Sequence, residues 1–146
     1  ESSSLPRFSQ KLNPKVGLLK LIPACDPGLL DDMGQRCDGI IIESFGVGGL
    51  PSYPSGDFRK SIAQLIHQGK TIVMTTQVTN EGSNMSIYEV GKTIKQKFGL
   101  LEAYDMTLEA SVTKLMWILG QTKAPEEIRR LFYQTINHDI LWHSQP

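Results

Sequence analysis

Three short runs rich in branched apolar residues recur along this chain, and helix-like segments separate them. The runs are VGLLKLI at 16–22, GIIIES at 39–44 and TIVMTT at 71–76. Runs of this length and composition are typical of strands. Successive apolar residues, rather than alternating ones, indicate that both faces of the strands are buried, as in a parallel sheet with helices on each side.

Helix signals fill the intervals between these runs. Asp26 followed by Pro27 predicts a helix start, because aspartate caps the first turn and proline suits its first position. Asp57 predicts the start of a second helix that Gly69 ends. Further helices are predicted from about Ile87 to Phe98, from Thr107 to Leu119 and after Pro125, with a short fourth strand at Leu100–Ala103.

Alternating strands and helices predict an α/β fold in three αβα layers. The sheet is small and parallel, with about four strands, and the fold class is Rossmann-like or flavodoxin-like. The chain has 146 residues and starts at Glu1 with a polar segment, ESSSLPRFSQ, typical of an interdomain linker. We expect residues 1–12 to be a linker remnant, residues 13–146 to be the domain, and the chain to be part of a longer protein.

Charge and cysteine content exclude several classes of function. Fifteen basic and fifteen acidic residues cancel, so no overall field attracts nucleic acid or anionic membrane, and neither is expected as a partner. Cys25 and Cys37 lack a disulfide framework, which favours reduced thiols and a cytoplasmic location. His138 and His143 have no ligands at metal spacing. We therefore expect no metal and no cofactor.

Ligands of parallel sheets bind beyond the carboxyl ends of the strands, which selects loops 23–26, 45–55 and 77–86. The glycine-rich loop GVGGLP at 46–51 is not a dinucleotide fingerprint, because Pro51 occupies the third small position and the helix begins only near Asp57. Two interpretations stay open: the glycines serve a tight turn, or their backbone is approached closely by a ligand or a second chain.

Polar side chains end the third predicted strand. Thr75, Thr76 and Gln77 should direct two hydroxyls and an amide towards the crevice at this edge. A threonine nucleophile needs a base to accept its proton, and the nearest histidine in sequence, His67, lies late in a helix. The pattern therefore favours capping and turn roles over catalysis. Residue types and spacing alone indicate no complete catalytic site in this chain.

Four segments together resemble the C-terminal domain of bacterial L-asparaginases of the cytoplasmic type I branch. They are VGLLKLIPACDPGLL, DGIIIESFGVGGLPSY, GKTIVMTTQVTNEGSNMSIYEVGK and YDMTLEASVTKLMWILGQTKAPEEIRRLF. The resemblance extends from about Asn13 to Asn137. It implies a parent enzyme that hydrolyses asparagine to aspartate and ammonia through threonines of an N-terminal domain. The TGGT and GTD motifs of that domain are absent here, so we expect no catalytic residue in this chain and no activity from it alone.

The resemblance also implies partners and contacts. The partners are the N-terminal catalytic domain of the same protein and further subunits in a homodimer or tetramer. The family usually carries GVGN in this loop, and its asparagine corresponds to Gly49 here. Because glycine has no side chain, only backbone can reach a neighbour's substrate at this position. Some members bind asparagine at a regulatory site near the loop that reads 77–85 here, where Val78 replaces a cysteine. The implied substrate or effector contacts are Gly48, Gly49, Thr76, Gln77, Asn84 and Glu89.

Two other functions stay open. The corresponding domain of the glutamyl-tRNA amidotransferase subunit that resembles asparaginases is a close variant. A free-standing α/β module that binds a small amino acid is the alternative from a different class.

Overall fold

The computed structural model describes residues 9–46, 50, 52–53, 56–77 and 99–141. Within these residues the strands are β1 (Val16–Lys20), β2 (Gly39–Ser44), β3 (Ser52–Tyr53), β4 (Gly56–Asp57), β5 (Thr71–Thr76) and β6 (Leu101–Glu102). The helices are α1 (Gly28–Arg36), α2 (Phe58–His67), α3 (Leu108–Gln121) and α4 (Pro125–Tyr133). The predicted helix at about 87–98 lies outside the described residues.

A four-stranded parallel sheet in the order β1-β2-β5-β6 forms the centre of the fold, as predicted. Within this sheet the spatial order of the strands is the same as their order along the chain. In doubly wound folds the strand order reverses, and a ligand crevice opens at the point of reversal. The described strands contain no such reversal, so the loops at their carboxyl ends form a cleft only when another surface lies against them.

Helices cover both faces of the sheet, which confirms the predicted three layers. Along β2 the side chains alternate between two cores: Ile40 and Ile42 pack with residues of α1 and α2, whereas Ile41 packs with residues of α3 and α4. Every residue of β2 is buried. This explains why the strand reads as a continuous apolar run rather than as an alternating one.

Close helix–sheet approach depends on a glycine at the start of β2. A methyl group at Gly39 would lie 2.8 Å and 2.9 Å from carbons of Leu119 and Leu115, closer than real side chains approach. Gly39 therefore allows the end of α3 to lie directly on the sheet.

Side chains cap two of the four described helices, α2 and α3. Asp57 accepts hydrogen bonds from the backbone N–H of Arg59 at 2.9 Å and from its Nε at 2.8 Å. Thr107 accepts from the N–H of Ala110 at 3.2 Å. The start of α1 differs from the prediction: Pro27 is its N-cap and no side chain caps it, whereas Asp26 accepts from the N–H of Gly28 at 2.9 Å in the turn just before the helix. The β3–β4 ribbon was not predicted, since two-residue strands lie below the length that composition identifies.

Residues 11–13 lie along α3. The Nε2 of Gln121 donates to the carbonyl of Lys11 at 2.8 Å, and the N–H of Asn13 donates to the carbonyl of Met116 at 2.9 Å. A methyl group at Gly120 would collide with the Lys11 backbone. The polypeptide therefore enters the domain along a fixed path on α3.

Candidate functional site at the carboxyl edge

Two of the predicted site residues hold neighbouring strand ends together. The Thr76 hydroxyl donates to the carbonyl of Gly46, just after β2. The Gln77 amide reaches further, and its Nε2 donates to the carbonyl of Leu21, just after β1, at 2.8 Å. Both residues are half-buried. Together they connect the exits of β1, β2 and β5, so a ligand that engaged both would act on all three.

The start of the glycine-rich loop supports the tight-turn interpretation. Gly46 has φ +48° and no atom within 4 Å of a methyl group placed on it. Space does not require a glycine there, but the left-handed backbone favours one. The remaining candidates, Gly48, Gly49, Asn84 and Glu89, lie outside the described residues.

A polar row crosses the sheet just before these exits, and sequence reasoning missed it. Lys20, Glu43 and Thr75 occupy matching positions of β1, β2 and β5. The Nζ of Lys20 lies 3.4 Å from Oε1 of Glu43, whose side chain is only 11% exposed, whereas that of Lys20 is 59% exposed. Glutamate inside an otherwise apolar run was the available signal. Because water screens the lysine, the pair itself adds little stability.

A second polar cluster lies at the exit of β6. Glu102 is fully buried, and its N–H donates to the Tyr133 hydroxyl at 3.0 Å. Burial, together with the Glu102 carboxylate, raises the pKa of Tyr104 well above its usual range. Tyr104 therefore stays protonated at neutral pH and acts as a hydrogen-bond donor rather than as a base. Its φ of +51° is unusual for a residue with a side chain.

The aromatic rings of this cluster extend it towards α4. The centroids of Tyr104 and Tyr133 lie 6.0 Å apart, and the Arg129 guanidinium carbon lies 5.7 Å from the Tyr133 ring centre. The arrangement fixes the β6 exit through stacking and hydrogen bonds. It supplies no nucleophile with an adjacent base.

At the opposite, amino edge of the sheet lies a cavity of about 360 Å³, whose lining includes Lys70, Lys123 and Arg129. Its positive charge is partly offset, because Nζ of Lys70 lies 3.7 Å from Asp38. A hydrogen bond from Asn13 is the main cause that lowers the pKa of Asp38, and Lys70 lowers it further.

Neither a metal cluster nor a membrane-spanning helix occurs in the part of the chain that the structure describes. There, no three His, Cys, Asp or Glu side chains come together as metal ligands. No described helix is both long enough and apolar enough to cross a bilayer. Cys25 is buried, Cys37 is partly buried, and both thiols are free.

Fold and site together define an α/β domain with polar groups at the carboxyl edge of its sheet. Among the described residues of this edge, no nucleophile lies beside a base. Residues 15–132 match the family described as the Glutaminase/Asparaginase C-terminal domain. The chain belongs to this family, which confirms the central expectation from the sequence.

Individual relatives support this assignment. The chain is 37% identical over 135 residues to an L-asparaginase of Thermococcus kodakarensis, covering 92% of this chain and 40% of that protein. It is 36% identical over 128 residues to one of the subunits of the Glutamyl-tRNA(Gln) amidotransferase of Metallosphaera sedula, covering 83% of this chain and 28% of that protein. The chain thus spans less than half the length of these relatives.

Superposition on solved structures supports the same family assignment. The thermostable L-asparaginase from Thermococcus kodakarensis superposes with a TM-score of 0.82 at 33% identity, covering 97% of this chain and 44% of that one. L-asparaginase I from Vibrio cholerae superposes with a TM-score of 0.75 at 25% identity, covering 90% and 39%. The similarity therefore extends to both archaeal and bacterial asparaginases.

Proposed function

We propose that this chain is the C-terminal domain of a cytoplasmic L-asparaginase of the bacterial type I branch. The parent enzyme converts L-asparagine and water to L-aspartate and ammonia. The observation that carries the proposal is family membership over residues 15–132, together with 37% identity to an L-asparaginase that is more than twice as long. The catalytic threonines then belong to a preceding domain, and this chain alone is inactive.

Within that enzyme the carboxyl edge serves a neighbouring subunit of a homodimer or tetramer. The sequential strand order supports this role, because the described loops need a second surface to form a cleft. Gly48 and Gly49 contribute backbone to the neighbour's substrate region, and Glu89 contributes a carboxylate.

The same edge binds asparagine as an effector through Thr76, Gln77 and Asn84. Support comes from the contacts of Gln77, whose amide already spans from β5 to the carbonyl of Leu21. A ligand that drew this amide away would release the exit of β1. Binding would thereby alter the loops that face the neighbouring subunit.

The domain itself comprises residues 13–146, and residues 1–12 are the remnant of a linker. The backbone hydrogen bond from Asn13 to the carbonyl of Met116 supports packed structure from Asn13 onward, and the bond from Gln121 to Lys11 anchors the end of the linker to α3.

A second candidate is the corresponding domain of a glutamyl-tRNA amidotransferase subunit, favoured by the 36% identity to its relative in Metallosphaera sedula. The parent protein distinguishes the two. An asparaginase releases ammonia from asparagine without any RNA, whereas an amidotransferase requires glutamine and glutamyl-tRNA. An upstream reading frame without a TGGT segment would contradict both.

The isolated chain tests the remaining points. We expect no ammonia release from asparagine or glutamine, and measurable turnover would refute the division of labour. Calorimetric titration with asparagine, aspartate and glutamine tests the effector site. Gln77→Ala should weaken any binding at least tenfold, and Gln64→Ala, on the exposed side of α2, is the matched control. Binding that both variants retain equally would place the ligand elsewhere.

A further inference from the structure

A groove of about 830 Å³ runs along the outer face of α3, away from the carboxyl-edge loops. Its lining includes Ser9, Ala110, Thr113, Trp117, Gln121 and Ile136. Ala110, Thr113 and Trp117 follow one another at spacings of three and four, so they form one stripe of the helix. The small residues leave room above the helix, and the tryptophan provides a large surface beside that room.

Apolar side chains remain uncovered around this groove. Leu12 is 62% exposed and Ile136 is 41% exposed, while Trp117 is only half-buried. Tryptophan is enriched at the energetic centres of protein interfaces. Clustered apolar exposure of this kind marks an interaction surface.

The wall opposite α3 is held rigidly. The Nζ of Lys114 donates to the carbonyl of Gln134 and to Oδ2 of Asp139, both at 2.7 Å. The other oxygen of Asp139 accepts from the N–H of Ile136 at 2.7 Å. Because the side chain of Lys114 is only 4% exposed, its charge is neutralised inside the wall. The groove is preformed, and its chemistry suits an apolar, uncharged partner surface.

The path of the polypeptide indicates what that partner is. Residues 11–13 are fixed along α3 by the bonds to Gln121 and Met116, and Ser9 lines the groove itself. A domain attached ahead of Ser9 is therefore tethered close to the groove. A covalently attached domain there has a high effective concentration for this surface, so even a modest interface stays closed.

We propose that the α3 groove is the docking surface for the preceding domain of the parent protein. The inference rests on the proposed function, because the relatives that this chain matches extend well beyond it. It assigns the two surfaces different partners. The α3 groove holds the preceding domain of the same subunit, and the carboxyl-edge loops stay available to a second subunit.

Hydroxyl-radical footprinting of Trp117 tests the proposal. In the parent protein, oxidation of Trp117 should fall at least severalfold relative to the 146-residue chain. Leu29, 49% exposed on α1, is the internal control and should oxidise equally in both proteins. Equal oxidation of Trp117 in both overturns the proposal. Protection that appears in the 146-residue chain as its concentration rises identifies a second copy as the occupant, and this also overturns it.

A substitution provides a second test. Thr113→Arg places a charged, bulky side chain on the exposed stripe and should leave the melting temperature of the 146-residue chain unchanged. In the parent it should restore Trp117 oxidation, whereas Gln64→Arg on α2 should not. Protection that survives Thr113→Arg contradicts the proposal.

The two proposals fail in different ways. A protected Trp117 in a parent that does not hydrolyse asparagine keeps the docking surface and removes the asparaginase function. An active parent with an unprotected Trp117 does the reverse. A reading frame without a preceding domain overturns both.

Discussion

The two helical layers of this domain differ in what holds them against the sheet. The core beneath α1 and α2 consists of apolar side chains, with Phe58 and Leu30 fully buried. The core beneath α3 and α4 is also apolar, but buried polar residues accompany it: Lys114 with Asp139, and Glu102 with Tyr104. The first layer is stabilised mainly by apolar packing, and the second also by buried polar contacts.

This difference matches the proposed division of roles. The apolar contacts of the first layer supply packing energy and serve as scaffold. Buried ion pairs and hydrogen bonds fix positions because the cost of breaking them is high. They occur beside the α3 groove and the β6 exit, where we propose contacts to other parts of the parent protein. We therefore infer that the α1–α2 layer mainly stabilises the fold. The α3–α4 layer mainly fixes the positions of the α3 groove and the β6 exit.

Phe58→Ala should be the largest single effect, because the side chain is fully buried in the core beneath α1 and α2. We expect a loss of about 3–5 kcal/mol in the free energy of unfolding, measured by urea denaturation of the 146-residue chain. Leu29→Ala, on the exposed side of α1, is the control and should cost within about 0.5 kcal/mol. Similar small losses for both would show that this layer is not stabilised by packing.

Lys114→Met should come next, and it tests the polar layer. Removal of one partner from a buried pair costs about 3–5 kcal/mol, but the Asp139 side chain is 15% exposed, so we expect about 2–3 kcal/mol. Adding Asp139→Asn should recover part of this loss, because no unpaired charge then remains. Additive losses in that double-mutant cycle would contradict a direct Lys114–Asp139 interaction.

Thr107→Ala removes the cap of α3 and should cost about 1 kcal/mol. A hydroxyl does not titrate in the acid range, so the loss should be the same at pH 3 and pH 7 in parallel denaturation curves. Thr107→Ser, which keeps the capping oxygen, should retain most of the stability. A loss that changed with pH would indicate that a carboxylate, rather than Thr107, caps this helix.

Asp57→Asn should have the smallest effect and, unlike the α3 cap, a pH-dependent one. The hydrogen bond from Arg59 lowers the pKa of Asp57 in the folded protein, so its stabilisation is present above the ordinary pKa of about 3.9. It disappears as the pH falls through the lowered folded value. The stability gap between wild type and Asp57→Asn should therefore narrow below about pH 4. A constant gap from pH 7 to pH 2 would remove this explanation.

The sequence predicted the central strands well, because burial on both faces leaves a distinctive apolar run such as Ile40–Ile42. It also predicted that Asp57 begins α2 and that a helix begins near Thr107, because signals for a helix start are local in sequence. The Lys114–Asp139 pair was not predicted, since its partners are distant in sequence, although a lysine beside buried Leu115 was a usable signal. Thr76 and Gln77 were placed correctly at the strand ends, but their carbonyl partners depend on strand order, which periodicity does not reveal.

The sequential strand order also bears on how the domain folds. Val16 pairs with Gly39 and Gly39 with Thr71, so each strand of the sheet adds beside the one before it. Such pairings are of moderate sequence separation, and they need no early contact between the chain ends. That contact forms when α3 returns to residues 11–13 through the Asn13–Met116 bond. We expect the strands of the sheet to pair in chain order as the polypeptide leaves the ribosome. Packing of α3 against residues 11–13 should be the last and slowest step. After Trp142→Phe, which leaves Trp117 as the single tryptophan of the 146 residues, fluorescence recorded during refolding would report that packing step.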